Sequence, residues 1–218
     1  MPVTIDGGVE KMPQMQPIKH GIPPDEALQL LKVGNSSYAD IDSGDATYIY
    51  KNIREVQHEQ HPFATILSCS DSRVPVELIM GGRGPGEIFV IRNAGNIADV
   101  NVIGSIEYSV IVLGVTLVVI MGHWKCGAAA AACDLVQYNN KKMPSKHIGD
   151  MIQPIVRLAK SYPSKQGDFV NNVIKAHAKK TVETILEASP IMSNCVKTRT
   201  VKIQPAYYDL PTRRVEFL

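Results

Sequence analysis

Two short stretches of the sequence carry reactive side chains at spacings that chemistry can use. In "ILSCSDSRVP" (66–75) an apolar run ends at Cys69, and a carboxylate, Asp71, and a guanidinium, Arg73, follow at alternate positions. In "MGHWKCGAAA" (121–130) His123 and Cys126 stand three apart, where an apolar run gives way to an Ala-rich one. Two thiols and one imidazole are soft and borderline ligands that suit zinc in tetrahedral geometry. Three protein ligands leave a fourth position open, the arrangement of a catalytic rather than a structural zinc. Asp71 could fill that position or stand just outside it. Arg73 favours the second, because a guanidinium beside a carboxylate holds it in a charge-assisted, often bidentate pair. Held so, Asp71 can accept a hydrogen bond from a water on the metal. Zinc lowers the pKa of such a water from about 15.7 toward about 7, so zinc-bound hydroxide exists at neutral pH. Cys133 lies two turns along the Ala-rich segment and Cys195 has no accompanying motif, so neither suits a fourth ligand.

The elements that must position these groups follow from periodicity. "FATILSC" (63–69), "EIFVIRNAGN" (87–96) and "TLVVIMGH" (116–123) are short, continuously apolar runs, as expected of strands covered on both faces. "PPDEALQLLKVG" (23–34) reads as a helix with Pro and acids in its first turn. A more polar helix is expected over 42–61. Further helices are expected over 99–114, 126–138, 151–162 and 169–189. "RTVKIQPAYYDLPTRRVEFL" (199–218) closes the chain as two strands around the turn "LPTR". Strands alternating with helices imply an α/β fold. Its sheet is mostly parallel with an antiparallel edge strand, is flanked by helices, and has right-handed crossovers. Ligands of such sheets sit beyond the carboxyl ends of the strands. Cys69 and His123 both fall there, so two distant stretches are expected to serve one site.

Composition narrows the class. The chain has 218 residues, 44% hydrophobic and 20% charged, an ordinary globular balance. A net charge of +2 with dispersed basic residues argues against nucleic acid as a partner. No apolar run reaches the roughly 18 residues that span a bilayer, so no membrane partner is expected. Residues 1–24 are rich in Pro and Gly and lack an apolar signal core, so they are read as an N-terminal arm. Residues 25–218 are read as a single α/β domain. Four cysteines without a disulfide framework fit a reducing, cytoplasmic setting. "GGRGPG" (81–86) mimics a phosphate loop, but it precedes a strand and lacks the following Lys-Ser/Thr, so it is discounted.

"CSDSR" (69–73) followed by "GHWKCG" (122–127) resembles the β-class carbonic anhydrases. "FVIRNAGN" (89–96), "GSIEYSVIVLGV" (104–115) and the ending "AYYDLPTRRVEFL" (206–218) carry the resemblance further. It implies a zinc lyase that reversibly hydrates carbon dioxide to bicarbonate and a proton. Its small-molecule site would lie in a homodimer or dimer-based oligomer whose N-terminal helices wrap onto the neighbour. Zinc would be held by Cys69, His123 and Cys126, with Asp71 and Arg73 as a carboxylate–guanidinium dyad. The family has a form whose aspartate closes onto the metal and a form that stays open. The closing form carries a Trp where this chain has Ile66. The open form carries a Gln and a Tyr where this chain has Gln60 and Tyr108, so the open form is expected. Gln60 would then donate to bound bicarbonate, and Phe89 and Tyr108 would line the pocket. His58 and His61, on either side of Gln60, are read as solvated. Trp124, between two of the ligands, departs from the small or polar residue usual there. The longer loop at 80–87 makes the placement of Phe89 depend on its alignment.

Overall fold

The computed structural model describes residues 22–40, 58–81, 85–138, 142–163 and 167–218. Five strands form one sheet in the order β2-β1-β3-β4-β5. They are β1 (Ala64–Cys69), β2 (Ile88–Asn93), β3 (Leu117–His123), β4 (Lys202–Asp209) and β5 (Arg214–Phe217). The first four run parallel, and β5 returns antiparallel to β4 at the edge. The helices are α1 (Pro24–Asp40), α2 (Val76–Ile79), α3 (Val100–Ile111), α4 (Gly127–Gln137), α5 (Lys146–Met151), α6 (Gln153–Ser161), α7 (Phe169–Ala188) and α8 (Pro190–Lys197). This is the expected mostly parallel α/β sheet with an antiparallel edge.

The continuous apolar runs at the centre need covers on both faces, because alternate strand residues point to opposite sides. Every residue of β1 and β3 is buried. Ile66, Val119 and Met121 meet α1 and α2 on one face, among Leu31, Ile79 and Met80. Leu67, Val118 and Ile120 meet α3, α7 and α8 on the other, among Ile106, Ile185 and Met192. A third cluster gathers Cys69 and Cys126 with α4, α6 and α7 at the carboxyl end of the sheet.

Several boundaries differ from the sequence reading. β2 is only half-buried along its length, not covered on both faces, because it forms an edge of the sheet. α1 runs six residues past Gly34. There Gly34 is buried in mid-helix, and a side-chain carbon on Gly81 would come within 2.5 Å of its Cα, so the glycine marks a close approach rather than a helix stop. Asn35, one residue on, is buried and locks α1 to the rest. Its amide donates to the carbonyls of Ile79 and Arg213 and accepts from the Val215 N–H. The short helices α2, α5 and α8 fall below the length at which periodicity is readable. Of the helix expected over 42–61, residues 42–57 lie outside the described residues, and 58–61 are not helical. Most of the expected arm also lies outside them.

Candidate metal centre

β1 and β3 are adjacent and parallel with Ser68 opposite Met121, so their carboxyl ends come out side by side. That register brings Cys69 next to His123. After His123 the chain turns through Lys125, at a φ of 50°, and enters α4 with Cys126 at its N-cap. One donor atom each from Cys69, His123 and Cys126 lie within 4.8 Å of one another, and all three residues are buried. The two sulfurs are 3.9 Å apart. The His123 Nδ1 lies 3.0 Å from the Trp124 carbonyl, an acceptor, so Nδ1 carries the proton and Nε2 presents a lone pair. That Nε2 is buried and has no hydrogen-bond partner. An orphaned acceptor facing two sulfurs fits a soft, tetrahedral cation, and among the described residues this is the one such group of ligands.

The sulfurs ionise as a unit. The Cys69 thiol is pulled down, to about 4, first by the hydrogen bond that Cys126 gives it and further by the Gly95 N–H at 3.3 Å. Cys126 is pushed up as the donor in that pair and by burial. A cation between them would let both become thiolates.

Asp71 stands beside this cluster. Arg73 grips it with Nε on Oδ1 at 2.9 Å and Nη2 on Oδ2 at 2.7 Å, and its own N–H adds a third bond to Oδ1. That grip holds the Asp71 carboxyl far below the usual carboxylate range. Oδ2 lies 3.8 Å from the His123 Nε2, so the carboxylate borders the metal position while bound to arginine.

Sequence reasoning missed the groups behind these. Arg92, near the end of β2, donates to the carbonyls of Cys69 and Asp71 and fixes the loop between them. A charged residue closing an apolar strand was a readable signal, of the same kind that singled out Cys69. The loop after β2 is framed by the Asn93 side chain, which donates to the Ile97 carbonyl and accepts from the Ile97 N–H. Within it Gly95 has a φ of 82°, and a Cβ there would press on Ala128 and Ile155 at 3.1 Å.

The other expected residues are placed elsewhere in the chain. Phe89 pairs with Thr65, four residues before Cys69, or about 13 Å of strand away. Its ring meets Tyr108 at 6.2 Å between centroids, and Tyr108 is exposed on α3. Gln60 is exposed four residues before β1 begins, at the opposite end of the strand from the cluster. Within one chain none of the three reaches the metal position. His58 and His61 are exposed, and His61 pairs with Glu59. Trp124 is partly buried, carries Lys125 over its ring at 4.2 Å, and lines a cavity of about 590 Å³ bounded by α7, β4 and β5.

Adjacent parallel strands whose ends present two cysteines and a histidine, with a carboxylate held at their side, define an α/β protein with a group able to bind a metal. A sequence model of the carbonic anhydrase family matches residues 64–215. Carbonic anhydrase 2 of Mycobacterium tuberculosis is 35% identical over 158 residues, which cover 71% of this chain and 73% of that protein. A carbonic anhydrase of Mycolicibacterium smegmatis is 31% identical over 199 residues, covering 88% and 92%. A solved β-carbonic anhydrase of Aspergillus fumigatus superposes with a TM-score of 0.66 at 26% identity, covering 75% of this chain and 78% of that one. A tetrameric β-carbonic anhydrase of Sordaria macrospora gives 0.62 at 25%, covering 73% and 81%. The chain belongs to the β-carbonic anhydrases. It is an enzyme of the carbonic anhydrase class, a lyase.

One buried group near the site sets a pH dependence of stability. Burial pushes the His177 imidazole down to about 4 from its ordinary 6.5. Between those values the unfolded chain binds a proton that the folded chain does not, so stability rises with pH there. Stability is expected to fall by on the order of 3 kcal/mol as pH drops from 7 to 4 on this account. His177→Gln should flatten that part of the profile, as read by urea unfolding at pH 7, 5.5 and 4. Equal slopes in both proteins would contradict the assignment.

Proposed function

We propose that this enzyme hydrates carbon dioxide reversibly to bicarbonate and a proton at a zinc ion held by Cys69, His123 and Cys126. The observation that carries the reading is the buried, unpartnered His123 Nε2 facing two sulfurs beside an arginine-held carboxylate. Bound there, zinc would supply a Lewis acid that makes a water ionise near pH 7 (about) rather than at its bulk value. Asp71, whose Oδ2 borders that position at 3.8 Å from the His123 Nε2, would accept a hydrogen bond from such a water and orient it toward the substrate. Because Arg73 keeps Asp71 ionised, the carboxylate orients the nucleophile and does not retain a proton. The same grip holds Asp71 off the metal and supports the open form.

Gln60, Phe89 and Tyr108 act in this reading through a second copy of the chain. Tyr108 lies on α3 with Val100 and Ile111, next to the cap residue Val112, all exposed, beside the edge of β2 that no described strand pairs. A two-fold pairing there would place these side chains over the partner's metal position, as an isologous interface allows. One sheet runs through the described residues from α1 to the end, which supports reading 25–218 as one domain with 1–24 as an arm. No helix of the described residues is long and apolar enough to cross a membrane. The four cysteines are buried and in no disulfide, which supports a reducing, cytoplasmic setting.

Three measurements test these roles. Cys69→Ser should purify with less than about a tenth of a zinc per chain by elemental analysis, since second-rank ligation cannot replace a thiolate here. Full occupancy would remove Cys69 from the ligand set. Asp71→Asn should keep its zinc and lose roughly 10²-fold in stopped-flow hydration rate. Unchanged turnover would show that the carboxylate does not act. Tyr108→Asp should shift the protein toward monomer in light scattering and lower activity in step. A dimer of full activity would separate Tyr108 from both the interface and the pocket.

A further inference from the structure

One stripe of α7 touches the neighbour of each metal ligand. Asn171, Ile174 and His177 are spaced by three residues, so they follow one another along the helix surface. The Lys125 N–H donates to Asn171 Oδ1 at 3.2 Å, and Lys125 precedes Cys126. Ile174 presses on Gly122, where a Cβ would come within 2.7 Å of its Cγ2, and Gly122 precedes His123. His177 Nε2 lies 3.0 Å from the Gly95 carbonyl, and the N–H of Gly95 reaches the Cys69 sulfur.

Each contact has a defined direction. Asp168 caps α7 by accepting from the Asn171 N–H, and its other oxygen takes the Asn171 Nδ2 at 2.7 Å. That leaves Oδ1 as the atom turned toward Lys125. Lys125 has a φ of 50°, which a side-chain-bearing residue adopts only when its surroundings hold it there. Its hydrogen bond to α7 is such a hold. The His177 ring is buried and meets a carbonyl, so Nε2 is the protonated nitrogen and donates. Gly95 is thus fixed at both ends, its carbonyl by His177 and its N–H on sulfur. α7 packs along β3 and β4, so it is rigid with respect to the strand that ends in His123.

We propose that α7 is the outer frame of the metal centre, and that Asn171 and His177 are positioning residues that hold Cys126 and Cys69 at metal-binding distance through Lys125 and Gly95. This rests on the zinc reading above. Groups behind metal ligands commonly change affinity by about 10- to 100-fold when removed, because the ligands must then be ordered by the metal itself.

The test is the rate at which the zinc-loaded enzyme releases metal to an excess of a chromogenic chelator. It is read together with the sulfur-to-cobalt absorption band of the cobalt-substituted enzyme. His177→Leu and Asn171→Leu should each release zinc about tenfold faster and shift the cobalt band. His177→Gln restores a donor and should stay within about twofold of wild type. Ile185→Ala opens a cavity at the far end of the same helix and should leave release and band unchanged, though it melts earlier. Release from His177→Leu no faster than from Ile185→Ala would overturn the frame while leaving the zinc site standing. So would a failure of His177→Gln to restore it. A wild-type chain that binds no zinc would overturn both readings.

Discussion

The structure depends on holding three ligand atoms face to face in the interior with no covalent link between them. Two sulfurs 3.9 Å apart and a bare imidazole nitrogen point at one place. Without a cation only one of the two sulfurs ionises while the other donates to it, and the buried His123 lone pair lacks a donor. The fold therefore has to supply the convergence. Parallel strands do this at low cost. β1 and β3 share a register, end at the same level, and deliver Cys69 and His123 side by side. The turn into α4 adds Cys126 at the mouth of a helix, where backbone N–H groups face its sulfur.

Around that centre, polar groups are used to fix backbone rather than to touch a substrate. Arg92 holds the carbonyls of Cys69 and Asp71. Arg73 holds the Asp71 carboxylate. Asn93 shapes the loop that turns the Gly95 N–H onto Cys69. Cys69 is thereby held at its carbonyl by Arg92 and at its sulfur by the Gly95 N–H. The carboxylate beside the metal position stays ionised for the same reason, because its guanidinium partner is bound through two parallel hydrogen bonds.

The sheet edges divide the labour. β5 closes one edge as an antiparallel strand, and Asn35 locks α1 against it. Among the described residues β2 leaves the other edge unpaired and only half-buried, next to exposed Tyr108, Ile111 and Val112. An open edge flanked by apolar side chains is a surface for pairing with another chain.

The sequence alone determined the chemistry of the candidate ligands and the class of fold. Cys69, Asp71, Arg73, His123 and Cys126 were legible because strand-end chemistry is local, being a matter of residue type and spacing over a few positions. The alternation of short apolar runs with helical periods was legible for the same reason. Tertiary structure alone decided what meets across the sheet. It set β2 at an edge, carried α1 past Gly34 onto Gly81, and brought Asn171, Ile174 and His177 of α7 against the neighbours of the three ligands. It also separated Gln60, Phe89 and Tyr108 from the site they match by sequence. A strand advances about 3.3 Å per residue, so residues on one strand can lie at opposite ends of the molecule, while strand register brings residues 50 or more positions apart into contact.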